Sequence, residues 1–423
     1  MSVSGLSVLV AMAPAAQPVA VLVIFALTYL GIALGRVPGL KLNRAGIALL
    51  GAIAIMMFSG LPTSAAIGFI NWPTILLLFG FFVISAQMRL SGLFEKIAAS
   101  LSARLDHPAR FLLILMLVTA GLSALLNNDV VCYVFTPVLA TALLRRRLNP
   151  VPFLIALAVA SNFGAAATLV GNAQDMMIAQ LAGLNFGRYL WWCMAPVLFA
   201  LGSAYGIIWM MCRHHLALAE PLPTSLPESL PAYDRAHALK GLVILGLVVA
   251  FFFTAIPKEV VALTAAGIHL ASRKFRTEDL LAQVNWPILI LFMGLFVVTG
   301  VFQAVGWTDQ AAQWLAHAGV NLTSLPVLAV VTAGLSNLIN NSAAVMLLVK
   351  VVDVSHPTTA YVLALANSFG GSLIILGSVA NIIVVQQARE LGITISFRDF
   401  ARLGVPVTLA ALAGLLGWLT IMG

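Results

Sequence analysis

The sequence predicts an all-α polytopic membrane protein made of two inverted repeats, each with five crossings, one of them a broken helix, and one re-entrant hairpin. Three observations predict it. They are a composition too apolar for a water-exposed surface, a one-sided distribution of basic residues, and three segments that recur in order along the chain. The 423 residues are 61% hydrophobic and 9% charged, with a mean hydropathy of +1.05. Twenty-two basic and 14 acidic residues are too few to solvate the exterior of a soluble protein this long, so most of that exterior faces lipid. Soluble enzymes and nucleic-acid partners are excluded, and the net charge of +8 reads as loop charge. Cys132, Cys193 and Cys212 lie in apolar runs without metal-ligand or disulfide spacing.

No Lys or Arg precedes Arg36, so the N-terminal stretch lacks the basic region of a cleaved signal and reads as a retained helix. A helix needs about 20 apolar residues to cross a bilayer. Apolar runs fall at 18–35, 45–60, 72–88, 111–146, 151–183, 191–212, 241–257, 260–272, 286–304, 326–353, 359–388 and 403–421. Four of them are too long for one helix and carry polar residues at their middle. Of these, 111–146 and 326–353 read as hairpins, and 151–183 and 359–388 as single crossings by broken helices. With that assignment nineteen of the 22 basic residues fall on one side, and only Arg188, Lys258 and Lys350 on the other. This is the positive-inside asymmetry. It puts both termini outside an inner membrane and makes 213–240 a cytoplasmic linker between repeats 1–212 and 241–423. Full crossings in place of hairpins would put Arg145, Arg146 and Arg147 outside, so the charges favour re-entry.

The halves resemble each other. NWPTILLLFGFFV from Asn71 matches NWPILILFMGLFV from Asn285, an offset of 214 residues. VTAGLSALLNN (118–128) matches VTAGLSNLINN (331–341) at nine of eleven positions, with offset 213. SNFGAAATLVGN (161–172) aligns with NSFGGSLIILGS (367–378) at offset 206, pairing Phe163 with Phe369, Gly164 with Gly370 and Gly171 with Gly377. Five crossings per half make the second half enter from the opposite face, so the repeats are inverted. Inverted repeats with interrupted helices place solute and ion sites near the midplane, where the breaks meet.

Non-helical backbone at membrane depth persists only where it is buried in protein or lines a cavity. The expected site is therefore the two hairpin tips, Ser123, Asn127, Asn128 and Asp129 with Ser336, Asn340, Asn341 and Ser342. The helix breaks join them, with Gly171, Asn172 and Asp175 in the first half and Gly377 and Ser378 in the second. Helix N-termini there suit an anion, and unwound carbonyls suit a cation. Asp129 and Asp175 are the carboxylates expected deep in the membrane, where ionisable groups are functional by default. Asp175 is also placed to cap the helix after its break, Cys132 reads as packing, and Met176 and Met177 read as apolar filler. His214 and His215 follow the positive loop pattern. No Lys or Arg is expected at the tips, which favours a weakly acidic, neutral or co-ion-compensated solute over a multiply charged oxyanion. No HExxH motif occurs and no His falls at the expected midplane, so neither enzyme chemistry nor a metal centre is indicated, and no cofactor is expected. LFEKIAASLSARL (93–105) and WTDQAAQWLAHA (307–318) follow equivalent helices and read as amphipathic arms.

NNDVVCYVFTPVL, TLVGNAQDMMIA, LINNSAAVMLL and GSVANIIVVQQARELGITISFRDFARLG resemble the ion transporter superfamily. Its members include arsenite permeases, arsenite-permease-like sodium/proton antiporters, citrate transporters and divalent anion/sodium symporters. The resemblance implies a homodimer whose scaffold domain holds a mobile transport domain that moves as an elevator. It implies one half-site at Asn127, Asn128, Asp129 and Gly171 and another at Asn340, Asn341, Ser342 and Gly377. Sodium, if it is the coupling ion, would lie at Ser123, Asn128 and Gly171 and at Ser336, Asn341 and Gly377. Sodium/dicarboxylate members carry Ser-Asn-Thr at both tips, whereas this chain has Asn-Asn-Asp and Asn-Asn-Ser. The acidic first tip points to an arsenite-permease-like secondary transporter of an anion or metalloid oxyanion, with a proton coupled through Asp129. The alternatives are a sodium/proton antiporter and a sodium-coupled di- or tricarboxylate symporter.

Overall fold

The computed structural model describes residues 16–35, 39–102, 107–213 and 233–422. Among them it contains twenty α-helices, one 3-10 turn and no strand. The first half runs α1 (Ala16–Leu34), α2 (Arg44–Phe58), α3 (Thr63–Gly68), α4 (Trp72–Leu90) and α5 (Leu93–Ser102), then α6 (Pro108–Leu125), α7 (Asn128–Arg145), α8 (Pro150–Ala165), α9 (Ala173–Leu181) and α10 (Phe186–Cys212). The second half repeats this order. It runs α11 (Arg235–Phe251), α12 (Lys258–Leu270), α13 (Thr277–Ala282), α14 (Trp286–Ala304) and α15 (Trp307–His317), then α16 (Leu325–Ile339), α17 (Asn341–Val351), α18 (Pro357–Gly370), α19 (Val379–Glu390) and α20 (Phe397–Met422), with the 3-10 turn Ile375–Gly377 before α19.

The recurring motifs are helix start signals. Asn71 Oδ1 accepts the Thr74 N–H at 2.9 Å and Asn285 Oδ1 accepts the Ile288 N–H at 3.3 Å. Each cap contributes about 1 kcal/mol. The Pro two residues on, Pro73 or Pro287, has no N–H to leave unpaired in the first turn.

Five helices, α4, α6, α10, α14 and α20, are long and apolar enough to cross a membrane. Shorter apolar helices include most of α1 together with α2, α8, α16 and α17. The expected run 241–257 begins earlier, at Arg235, and the run 260–272 is the 13-residue α12. Of the expected linker 213–240, residues 214–232, with His214 and His215, lie outside the described residues. Arg235–Lys240 are already helical, with Asp234 as the N-cap of α11. Lys274 beside Asp234, together with the His237 N–H, holds its carboxyl well below the usual carboxylate range. Both expected arms are helical as α5 and α15, residues 103–105 lying outside the described residues. They pack on α7 and α17 respectively.

Packing is reciprocal between the halves. Helix α2 packs on α14, and its counterpart α12 packs on α4. At the first contact a Cβ on Gly294 would lie 2.8 Å from the Ala48 backbone carbon, and at the second a Cβ on Gly80 would lie 2.8 Å from that of Ala262. Both residue pairs are related by the same 214-residue offset. Within the halves, α6 packs on α8 and α16 on α18. Phe163 and Phe369, which occupy equivalent positions, touch each other edge to face at 5.0 Å. Contact between equivalent residues is what an approximate two-fold between the halves would produce, and α10 packs against its counterpart α20.

Candidate functional site

All thirteen site residues expected from the sequence are buried. Helices α6 and α7 meet through Leu126 and Asn127, and α16 and α17 meet at Asn340 alone. The tips share one local device. Asn127 Oδ1 accepts the Asp129 N–H at 2.9 Å, and Asn340 Oδ1 accepts the Ser342 N–H at 3.1 Å. An Asn followed by a second Asn thus caps the helix that leaves each tip, which is why the pair recurs. The backbones differ, because Asn127 has φ −58° whereas Asn340 has φ 76° and ψ 149°. That region belongs to glycine and costs roughly 1–3 kcal/mol for any other residue.

The breaks are capped the same way. Asn172 Oδ1 accepts the Asp175 N–H at 2.7 Å while Asn172 Nδ2 donates to Asp175 Oδ2 at 2.7 Å. Asn172 is therefore the N-cap of α9, and the Asp175 carboxylate, expected as the cap, instead accepts the Asn172 side-chain amide and no backbone N–H among the described residues. Ser378 Oγ accepts the Ala380 N–H at 3.2 Å at the start of α19.

A residue outside the expected set joins these pieces. Asn162 Oδ1 accepts Asn128 Nδ2 at 3.2 Å and the Ser378 hydroxyl at 3.0 Å, and Asn162 Nδ2 donates to Asn381 Oδ1 at 3.0 Å and to Ser372 Oγ at 3.2 Å. The Asn128 N–H donates to the Gly171 carbonyl at 3.2 Å. In the mirror arrangement Asn172 Nδ2 donates to Ser368 Oγ at 3.1 Å, and Ser368 is the counterpart of Asn162. The first tip and both breaks thus converge, and the second tip joins them where Gln174 Nε2 donates to Ser342 Oγ at 2.5 Å.

Other expected residues stand apart from this network. Ser336 Oγ donates back to the Ala333 carbonyl at 2.9 Å, the ordinary behaviour of a helical serine. Ser123 Oγ has no partner among the described residues. Gly377 sits under Asn337, whose Nδ2 donates to the Ala333 and Gly370 carbonyls at 2.7 Å each. Cys132 donates to Ser161 Oγ at 3.1 Å, a polar contact beyond plain packing, and Met176 and Met177 are core side chains at 0% exposure.

Several buried side-chain atoms on the tips, the breaks and the helices that carry them have no partner among the described residues. They are Ser123 Oγ, Asn127 Nδ2, Asp175 Oδ1, Asn337 Oδ1, Asn340 Nδ2 and both polar atoms of Asn367. Leaving one such atom unpaired costs about 1–3 kcal/mol, so several of them need an explanation. A polar ligand supplies one. No hydrogen bond among the described residues reaches the Asp129 carboxylate, which keeps 8% exposure. Among the described residues no group of three or more His, Cys, Asp or Glu could hold a metal ion.

An all-helical bundle with five candidate spans and a buried polar centre where helices break defines a polytopic membrane transporter. The chain belongs to the citrate transporter family, whose model matches residues 8–362. It is 33% identical over 422 residues to a 46 kDa membrane protein of Mycobacterium leprae, covering 94% of this chain and 97% of the relative. It is 27% identical over 451 residues to the silicon efflux transporter LSI3 of Oryza sativa subsp. japonica, covering 89% and 92%. Two solved structures share the fold. The YdaH transporter of Alcanivorax borkumensis matches with TM-score 0.57 at 16% identity, covering 96% of this chain and 98% of that one. Neisseria gonorrhoeae MtrF matches with TM-score 0.56 at 12% identity, covering 98% and 96%.

Proposed function

We propose that this protein is a secondary transporter of a small, weakly acidic hydroxylated solute, a metalloid acid or its oxyanion, coupled to protons through Asp129. The observation that carries the reading is the chemistry of the buried centre. It holds two carboxylates, amides and hydroxyls at the tips and breaks, and no hydrogen bond there comes from Lys or Arg. Asp129 and Asp175 would repel a multiply charged anion in a low-dielectric site, and no fixed cation offsets them. An undissociated acid brings O–H donors for the unpaired carboxylate and oxygen acceptors for the unpaired amide N–H groups of Asn127 and Asn340. The rice relative is a silicon efflux transporter, and silicon is likewise a metalloid.

The reciprocal packing supports two repeats joined by 213–240, and the one-sided basic residues support their inversion with both termini outside an inner membrane. In this reading the tips and breaks form a transport domain moving as an elevator against a scaffold, in a homodimer. A second reading, symport of a di- or tricarboxylate with sodium, is favoured by the family description and by the helix N-termini at both tips. The test is uptake by proteoliposomes of purified protein. Arsenite and germanic acid entering under an imposed pH gradient, with citrate inert and sodium without effect, supports the proton reading. Sodium-dependent citrate uptake with no metalloid flux replaces it by the second.

A further inference from the structure

The two half-sites occupy equivalent positions, and among the places where their residues differ, one pair meets across packed helices. Offsets of 213 and 206 make Ser342 the counterpart of Asp129 and Ala380 the counterpart of Gln174. Each is the second residue of its helix, in α17, α7, α19 and α9 respectively. Helix α9 packs on α17, and α19 packs on α7, so the two contacts join equivalent pairs of helices. In one of them Gln174 Nε2 donates to Ser342 Oγ at 2.5 Å, and both residues are more than nine-tenths buried. In the other a methyl group stands where the amide would be. The neighbouring residues hold that second pair together, since Asn162 bonds at once to Asn128, beside Asp129, and to Ser378 and Asn381, on either side of Ala380. Asp129 is more than nine-tenths buried and its carboxylate has no donor among the described residues, whereas its counterpart is satisfied within the protein.

We infer that, of the two equivalent positions Asp129 and Ser342, the one at Asp129 is open to a solute donor, because Gln174 closes that at Ser342 while Ala380 leaves that at Asp129 unclosed. This rests on the proposed function and narrows it. The solute presents one O–H to Asp129, and meets Gln174 and Ser342 as a pair already bonded to each other. Gln174 and Ala380 thereby decide which of the two tips presents an open acceptor to the solute.

Carbodiimide modification, mapped residue by residue by mass spectrometry on the full-length protein in membranes without solute, tests the inference. In the unmodified sequence Asp129 should react at least about tenfold faster than Asp175, whose carboxylate accepts the Asn172 amide. The carboxylate introduced by Ser342→Asp should react slowly while Gln174 is present, and about tenfold faster when Gln174→Ala is added. Equal rates with and without Gln174, or Asp175 reacting as fast as Asp129, would overturn the inference. If Ser342→Asp does not fold, Ser342→Cys serves, read with a small charged thiol reagent against the buried Cys132 and Cys193. The same acceleration by Gln174→Ala is expected, and its absence counts against the inference. Adding arsenite tests the proposed function separately. Its failure to slow modification of Asp129 counts against the solute, whereas the pattern without solute decides the role of Gln174.

Discussion

Asn162 and Asn367 are buried asparagines one position out of register in the two halves, and they have opposite fates. Asn162 uses both ends of its amide to tie the first tip to the second-half break, while neither end of Asn367 meets a partner. Removing the first orphans several buried groups, and removing the second orphans none. Asn162→Ala should therefore cost about 2–4 kcal/mol, and Asn367→Ala less than about 1 kcal/mol. Thermal unfolding of detergent-purified variants measures both, and equal losses would mean that Asn367 is satisfied within the protein and faces no ligand. Neither residue was legible in the sequence, although the tips were. Alignment on the shared Phe and Gly landmarks pairs Ser161 with Asn367 and Asn162 with Ser368, so two polar residues simply exchange order and leave no conserved mark. Asn127 and Asn340 were legible because their capping role demands the same residue type in both halves.

Helix starts were readable from Asn-Trp-Pro, since a cap and a first-turn proline are local chemistry. The six-residue helices α3 and α13 were not, being too short for a period to emerge. Helix length also bears on the hairpins. Eighteen-residue α6 would span about 27 Å, close to the roughly 30 Å hydrocarbon core, whereas 15-residue α16 is shorter. The reciprocal helix crossings make a sharper prediction. Gly80→Val and Gly294→Val drive a branched side chain into the facing backbone at Ala262 and Ala48, and each should cost at least about 1–3 kcal/mol. Because the two contacts are equivalent, the losses in unfolding temperature should be similar. A variant that unfolds like the parent would show that its crossing can open without penalty.

On the scale of the molecule, the repeat does two things. It exchanges helix crossings between the halves, and it brings the equivalent residues Phe163 and Phe369 into contact. The sequence announced the repeat through segments in nearly constant register. The joining of the breaks by Asn162 depends on side-chain directions that no register conveys. The asymmetry within the repeat then matters for function, because Asp129 is the carboxylate left without a partner. The central claim is that this carboxylate carries the coupled proton. The most direct measurement is proton movement into proteoliposomes, reported by a trapped pH-sensitive dye, when an inward arsenite gradient is applied at equal internal and external pH. The account predicts a pH change in the parent protein that falls at least about tenfold in Asp129→Asn, because an amide cannot cycle a proton at this position, while arsenite exchange across the membrane persists. An undiminished proton signal in Asp129→Asn would contradict it.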